Sequence, residues 1–216
     1  MIKIRKPYSF GEGKKKENST ELGGKGRKPF SLNNKDTTRY RRKVSNKQES
    51  DWAKKTGGKT QIASGAFWHS KGDVREECEE ILAGFCWENK YTAREFFRLS
   101  VDLWEEIREK AYGQGNIPGI HLQFTNTELD EDVKLVFVEC EKFSEFIDGS
   151  TETFCRLEME EKTYKSVRIN PFKWREYEIE MYANDNTPIL DVIIDHDDYD
   201  RINLIGISEE EFLMLR

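Results

Sequence analysis

Apolar residues are sparse and aperiodic over the first 45 positions of the chain. Lys, Gly, Asn, Ser and Thr dominate there, and stretches such as 11–19 and 23–28 hold too few apolar side chains to offset the entropy of ordering. From about Asn46 the pattern becomes periodic. Ser45 is placed to cap a helix over 46–56, closed by Gly57-Gly58. Residues 59–64 read as a short extended piece, 65–72 as a small-residue loop and 84–92 as a strand. Ser100 is a good N-cap for a helix over 101–112, whose Val101, Trp104, Ile107 and Ala111 fall on one face, with Gly113 as its stop. Ile120, Leu122 and Phe124 alternate along a strand over 117–124, and 134–140 is a compact apolar run suited to a strand buried on both faces. Residues 141–147 read as a short helix. Beyond them, 153–159, 164–169, 177–182, 189–194 and 202–207 read as strands, and Ser208-Glu209-Glu210-Glu211 opens a terminal helix through a capping box. No internal repeat is visible. The order of elements predicts a mixed α/β fold with a central sheet covered by helices.

With 216 residues, 36% hydrophobic and 35% charged, the chain fits one domain or a domain with an appendage. Thirteen Phe, eight Tyr and five Trp supply a real core. No apolar run approaches a membrane span, and Met1–Phe10 lacks the apolar stretch of a secretory signal, so a cytoplasmic protein is expected. Cys78, Cys86, Cys140 and Cys155 form no CxxC pair, which argues for reduced thiols rather than a zinc site.

Charge changes the picture more. Residues 1–60 carry 18 Lys and Arg against 6 Asp and Glu, whereas the rest carries 17 against 35. A basic arm beside an acidic body suits a polyanion, most commonly nucleic acid, although a merely solvated arm fits the charge as well. Arg39, Arg41, Arg42 and Lys43 surround Tyr40, a pattern suited to phosphate contact plus base stacking. Residues 141–216 hold 9 basic against 19 acidic groups and are not expected to contact DNA broadly. Packing on the remainder, dimerisation or a protein partner would use them.

The most informative chemistry lies between Ser64 and Thr92. On a strand over 84–92, Glu88 and Lys90 share a face while Phe85, Trp87 and Tyr91 take the other. Asp73 follows Lys71-Gly72 and can approach that face. Two converging carboxylates repel, and Mg²⁺, a hard cation bound through one or two carboxylates plus phosphate oxygens, relieves the repulsion. Such a site suits phosphodiester hydrolysis, and an ordinary ion pair on a solvated sheet would use the same residues. Trp68 suits base stacking as well as core or loop packing, and His69 reads as a solvated loop residue with DNA or water contact as the alternative. His121 reads as a packing residue, and the acidic run 195–200 as a solvated turn with a cation grip as the alternative.

Lys47-Gln48-Glu49, Gly57-Gly58-Lys59, Ala63-Ser64-Gly65-Ala66, Lys71-Gly72-Asp73-Val74 and Trp87-Glu88-Asn89-Lys90-Tyr91-Thr92 resemble, in order and spacing, the core of the PD-(D/E)XK nucleases. The likeness covers roughly 45–140 and is nearest to the phage and archaeal Holliday-junction-resolvase-like branch. It implies a restriction-endonuclease-like mixed sheet over 45–147, flanked by helices, between a basic flexible arm (1–44) and an acidic β-rich extension (148–216). It further implies a Mg²⁺-dependent DNA endonuclease, with Mn²⁺ as substitute, acting on branched or duplex DNA as a homodimer in a phage or mobile-element setting. Asp73 and Glu88 would be metal ligands with the Asn89 carbonyl as a third. Lys90 would be the catalytic lysine and Glu49 the supporting helical acid, while Ser64 and Lys71 would contact DNA. Two departures stand out: residues 75–82 resemble an acidic insertion, and position 89 is Asn where a small or apolar residue is usual. A non-catalytic DNA-binding or assembly protein, or a restriction- or exonuclease-type enzyme, are the alternatives.

Overall fold

A computed structural model describes residues 38–61, 72–76, 84–125, 128, 132–147 and 154–215. The first helix begins earlier than the sequence suggests: α1 spans Thr38–Thr56. Ser45 is not its cap but sits inside it, bonding Glu49 one turn on. Then follow β1 (Lys59–Thr60), β2 (Val74–Arg75), β3 (Phe85–Thr92), β4 (Phe97–Ser100), α2 (Val101–Tyr112), β5 (Ile117–Phe124), β6 (Val133–Glu139) and α3 (Cys140–Ile147). The Ser100 hydroxyl accepts from Leu103 N, as a cap should. The chain continues through β7 (Phe154–Glu161), β8 (Ser166–Ile169), α4 (Pro171–Tyr182), β9 (Thr187–Ile194), β10 (Ile202–Ser208) and α5 (Glu209–Leu215).

One element differs in kind. Residues 177–182, expected as a strand, are the last turns of α4. Tyr177, Ile179 and Met181 alternate with glutamates and imitate a period of two. The helix is set upstream, where the Asn170 side chain accepts from Phe172 N and Lys173 N and Pro171 takes the first helical position. Pro171, Trp174 and Glu178 then form its buried stripe.

The strands form an eight-stranded mixed sheet in the order β1-β2-β3-β5-β6-β10-β9-β7, while β4 and β8 make a separate two-stranded ribbon. Residues after 148 extend this same sheet, since β10 pairs antiparallel with β6, and Lys35–Arg216 cluster as one compact unit. Alternation sorts the sheet's side chains into two cores. Ile120, Leu122, Leu135, Phe137, Leu190 and Leu204 pack with Trp104 and Trp174 on one face. Trp87, Val136, Val138, Ile205 and Ile207 pack with Trp52, Phe143 and Phe212 on the other. The central strand β6 is thus buried on both faces, as its sequence suggests.

The absence of an internal repeat does not hold. β3-β4-α2-β5-β6-α3 and β7-β8-α4-β9-β10-α5 are the same β-β-α-β-β-α succession. Each half pairs its first and third strands in parallel, β3 with β5 and β7 with β9. Trp104 and Trp174, Tyr112 and Tyr182, and Pro118 and Pro188 lie 70 residues apart, while Phe85-Cys86 and Phe154-Cys155, and Phe143 and Phe212, lie 69 apart. Left-handed backbone recurs at Gly115 (φ 71°) and Asp185 (φ 55°), in equivalent turns. The halves meet about a pseudo-twofold axis. In the β6–β10 register Phe137 faces Gly206, its own equivalent, and Leu204–Glu139 mirrors Ser208–Leu135. The ribbon straddles the same axis, with Arg98 facing its equivalent Arg168. So few identities survive that no periodicity shows in the sequence. The segment α1-β1-β2 belongs to the first half alone, so β7 is an edge strand where β3 is covered.

Candidate active site

The added segment brings Glu49 and Asp73 to the Glu88 and Lys90 of β3. β2 lies antiparallel to β3 with Val74 opposite Trp87, and Asp73 precedes β2 directly. Gly72 admits the chain here: it adopts φ 86°, and a Cβ would come within 2.5 Å of Cys86 Sγ. Asp73 N donates to the Trp87 carbonyl (2.9 Å), and its Oδ2 accepts from Asn89 N (2.7 Å), which pins the carboxylate beside β3.

Glu88 and Lys90 share a face of β3, as alternation requires. Lys90 Nζ donates to Glu88 Oε1 at 2.7 Å. A second cation, Lys110 from α2, stands 3.6 Å from Glu88 Oε2 and 2.7 Å from Glu106. Burial works against the charge of Lys110, but the bond to Glu106 and the nearby Glu88 hold its pKa above the ordinary lysine value. Asp73 is pushed up to about 6, first by burial and then by the Glu88 charge, with Glu49 adding to the repulsion. Glu49, on α1, is likewise raised by burial and by Glu88, while the Ser45 hydroxyl opposes the shift. Glu49, Asp73 and Glu88 therefore feel one another's charge. Among the described residues, no three His, Cys, Asp or Glu side chains group closely enough to enclose a metal ion unaided.

A polar scaffold beneath the site has no counterpart in the sequence reading. Gln48, buried on α1 beside Glu49, donates to the Lys90 carbonyl (3.0 Å) and ties the helix to the strand. His121, expected as a packing residue, faces Asn89 Oδ1 (2.9 Å) and Glu209 Oε2 (2.7 Å) and stacks on Trp52 at 4.2 Å. Burial raises and the bonds to His121 and Lys55 lower the Glu209 pKa, with the bonds prevailing and holding it at about 2. Glu76, within the stretch read as an insertion, is buried with its carboxylate on Trp87 Nε1 (2.7 Å). Buried polar partners such as these leave no periodic trace; only the spacing of Gln48 and Glu49 ahead of Gly57 hinted at them.

Asp73, Glu88, Asn89, Lys90 and Glu49 are thus brought together. Ser64, Lys71, Trp68 and His69 lie outside the described residues, as do the side chains of Arg39 and Arg41. Arg42 and Lys43 are exposed on the first turns of α1, remote in sequence from Glu49 by two turns of helix. Cys86, Cys140 and Cys155 are free thiols. The second half does not repeat the chemistry: Leu157 and Met159 stand where the first half has Glu88 and Lys90. No helix among the described residues is long and apolar enough to cross a membrane. No family model, curated protein or solved structure matches the chain.

Proposed function

We propose that the chain is a metal-dependent DNA endonuclease of the PD-(D/E)XK type. The observation that supports this most is the meeting of Asp73, Glu88 and Lys90 on one face of β3, with Glu49 electrostatically coupled to them. The order α1-β1-β2-β3-β4-α2-β5 also supports the reading, because a helix and then a strand follow β3 and β3 pairs in parallel with β5, although the ribbon strand β4 intervenes. The donor set suits a hard cation: Asp73, which burial and the Glu88 charge push toward protonation, would be relieved by Mg²⁺, or by Mn²⁺. Asp73 and Glu88 would hold it, with the Asn89 carbonyl as third protein ligand. When bound, the ion would activate water and neutralise charge on the scissile phosphate. Lys90, oriented by Glu88, would stabilise charge developing on that phosphate, and Glu49, with its raised pKa, would hold a proton or position the water.

DNA is the partner of this reading, branched or duplex. Because Leu157 and Met159 leave the second half without the carboxylate and lysine, two cuts at once would need two chains, which is the role of the expected homodimer. One observation favours a second reading, a non-catalytic DNA-binding or assembly module: Lys90 and Lys110 already compensate Glu88 without a metal. Incubation with four-way junction, linear duplex, nicked and single-stranded DNA, with Mg²⁺, Ca²⁺ or chelator, separates the readings. Cleavage with Mg²⁺ and little with Ca²⁺ is expected. Full activity in excess chelator would remove the mechanism, and absence of cleavage on every substrate would favour the second reading.

A further inference from the structure

Beside the ribbon, a cavity of about 750 Å³ opens between β7, β8 and α4, and none of Glu49, Asp73, Glu88 or Lys90 lines it. Its floor is apolar: Leu157, Met159, Trp174 and Leu190. Leu157 and Met159 are only partly buried because β7 is an edge strand. Three cations, Arg98, Arg168 and Lys173, stand at its mouth. Arg98 and Arg168 are direct cross-strand partners on the pseudo-twofold axis, so two guanidinium groups project side by side from the ribbon. Like charges directly opposite each other on a sheet are destabilising. Among the described residues, none of the three cations forms an ion pair, although the chain as a whole is acidic. Arg168 instead lies 5.0 Å over the ring of Phe96. Three acids also line the cavity: Glu161 accepts from Thr163 N and Tyr164 N, Glu160 pairs with Lys162, and Glu158 alternates with Leu157 and Met159 on the exposed side of β7.

We propose that this cavity is a nucleotide-binding site. The twin arginines, with Lys173 beside them, take the phosphate, because guanidinium groups match phosphate oxygens in bidentate geometry. The apolar floor takes the base, with the exposed Tyr164 ring at the rim available for stacking. The volume is that of a small-molecule site. The nucleotide is either free or one unit of a single-stranded nucleic acid, and the recognising chemistry is the same. The site stands on its own observations and does not depend on the function assigned to Asp73 and Glu88.

The test uses the full chain in chelator, so that cleavage plays no part. Binding of a fluorescein-labelled dT12 is followed by anisotropy, with competition by dTMP and by inorganic phosphate, for wild type, R98Q/R168Q and R98K/R168K. The expected result is at least a tenfold loss of oligonucleotide or dTMP affinity in R98Q/R168Q, partial recovery in the lysine variant, and unchanged or raised thermal stability. Competition by dTMP assigns the site to free nucleotides; loss of oligonucleotide affinity without dTMP competition assigns it to a strand. Unchanged affinity for both ligands in R98Q/R168Q would overturn the proposal. Competition by phosphate as strong as by dTMP would overturn it as well, since the floor would then contribute nothing.

Discussion

Replacing Asp73 by Asn should stabilise the folded chain at pH 8 while abolishing cleavage. The carboxyl is held at about 6 in the folded protein against an ordinary 3.8. Between those values the folded chain keeps a proton that the unfolded chain gives up. Folding stability therefore falls as pH rises from about 4 to about 6, and the whole penalty is present above that range. At about 1.4 kcal/mol per pH unit the penalty is at most about 3 kcal/mol, and less where solvent reaches the group. Asn has the same shape, carries no charge and keeps an oxygen for the Asn89 N–H now 2.7 Å away. A gain of about 1–3 kcal/mol at pH 8, shrinking to nothing near pH 4, is the expected outcome, read from urea midpoints at matched slopes. Added Mg²⁺ should raise the wild-type midpoint more than that of D73N, because the variant keeps Glu88 but loses one of the two carboxylates that would hold the ion. A D73N protein no more stable than wild type at pH 8, or a gain independent of pH, would refute the argument.

Lys90→Ala should lower kcat by roughly 10²–10³-fold with stability within about 1 kcal/mol of wild type, because its partly exposed ion pair with Glu88 contributes little to folding; near wild-type turnover would move the site elsewhere. Gly119→Ala should destabilise by about 1–3 kcal/mol in thermal or urea unfolding, since its Cβ would lie 2.3 Å from a Trp87 ring carbon already boxed in by Phe85, Trp52 and Phe212. Deleting residues 1–37, which stops short of α1 and removes ten Lys and Arg against four Asp and Glu, should weaken DNA binding and flatten its dependence on salt. An unchanged salt slope would exclude the basic arm from phosphate contact.

The elements legible in the sequence were those whose burial is one-sided or complete over many residues. The Val101-Trp104-Ile107-Ala111 stripe, the alternation of β5 and the apolar run of β6 each state their environment directly. The meeting of Glu88 and Lys90 followed from strand alternation alone. What stayed hidden depended on partners distant in the chain. Short strands such as β2 exist because β3 offers them hydrogen bonds, and two or four residues carry no period. α4 exposes Ile179 and Tyr182, so its hydrophobic residues do not mark a single face. Gln48 Nε2, His121 and Glu209 are linked in one buried chain of contacts across 161 residues of sequence, and nothing local distinguishes them from surface polar groups. The duplication was obscured because most equivalent positions changed residue type even where burial was kept, as His121 and Asp191 show.

The residues on the pseudo-twofold axis bear on what a fragment of this chain would do. Residues 38–147 alone would expose the β6 edge that β10 now covers, and a second copy of β6 could pair there in the register β10 uses. Such self-assembly would bring Phe137 against Phe137. In the intact chain Gly206 sits at that point, and even a Cβ there would lie 2.5 Å from the Phe137 ring. Two rings cannot share the space. Phe on one strand and Gly on the other make the seam selective for the unlike half, so the first half is kept from closing on itself into a particle with two carboxylate–lysine sites. Exchanging Phe137 for a small residue in the fragment would lift that block, and the size of the fragment by light scattering would report it.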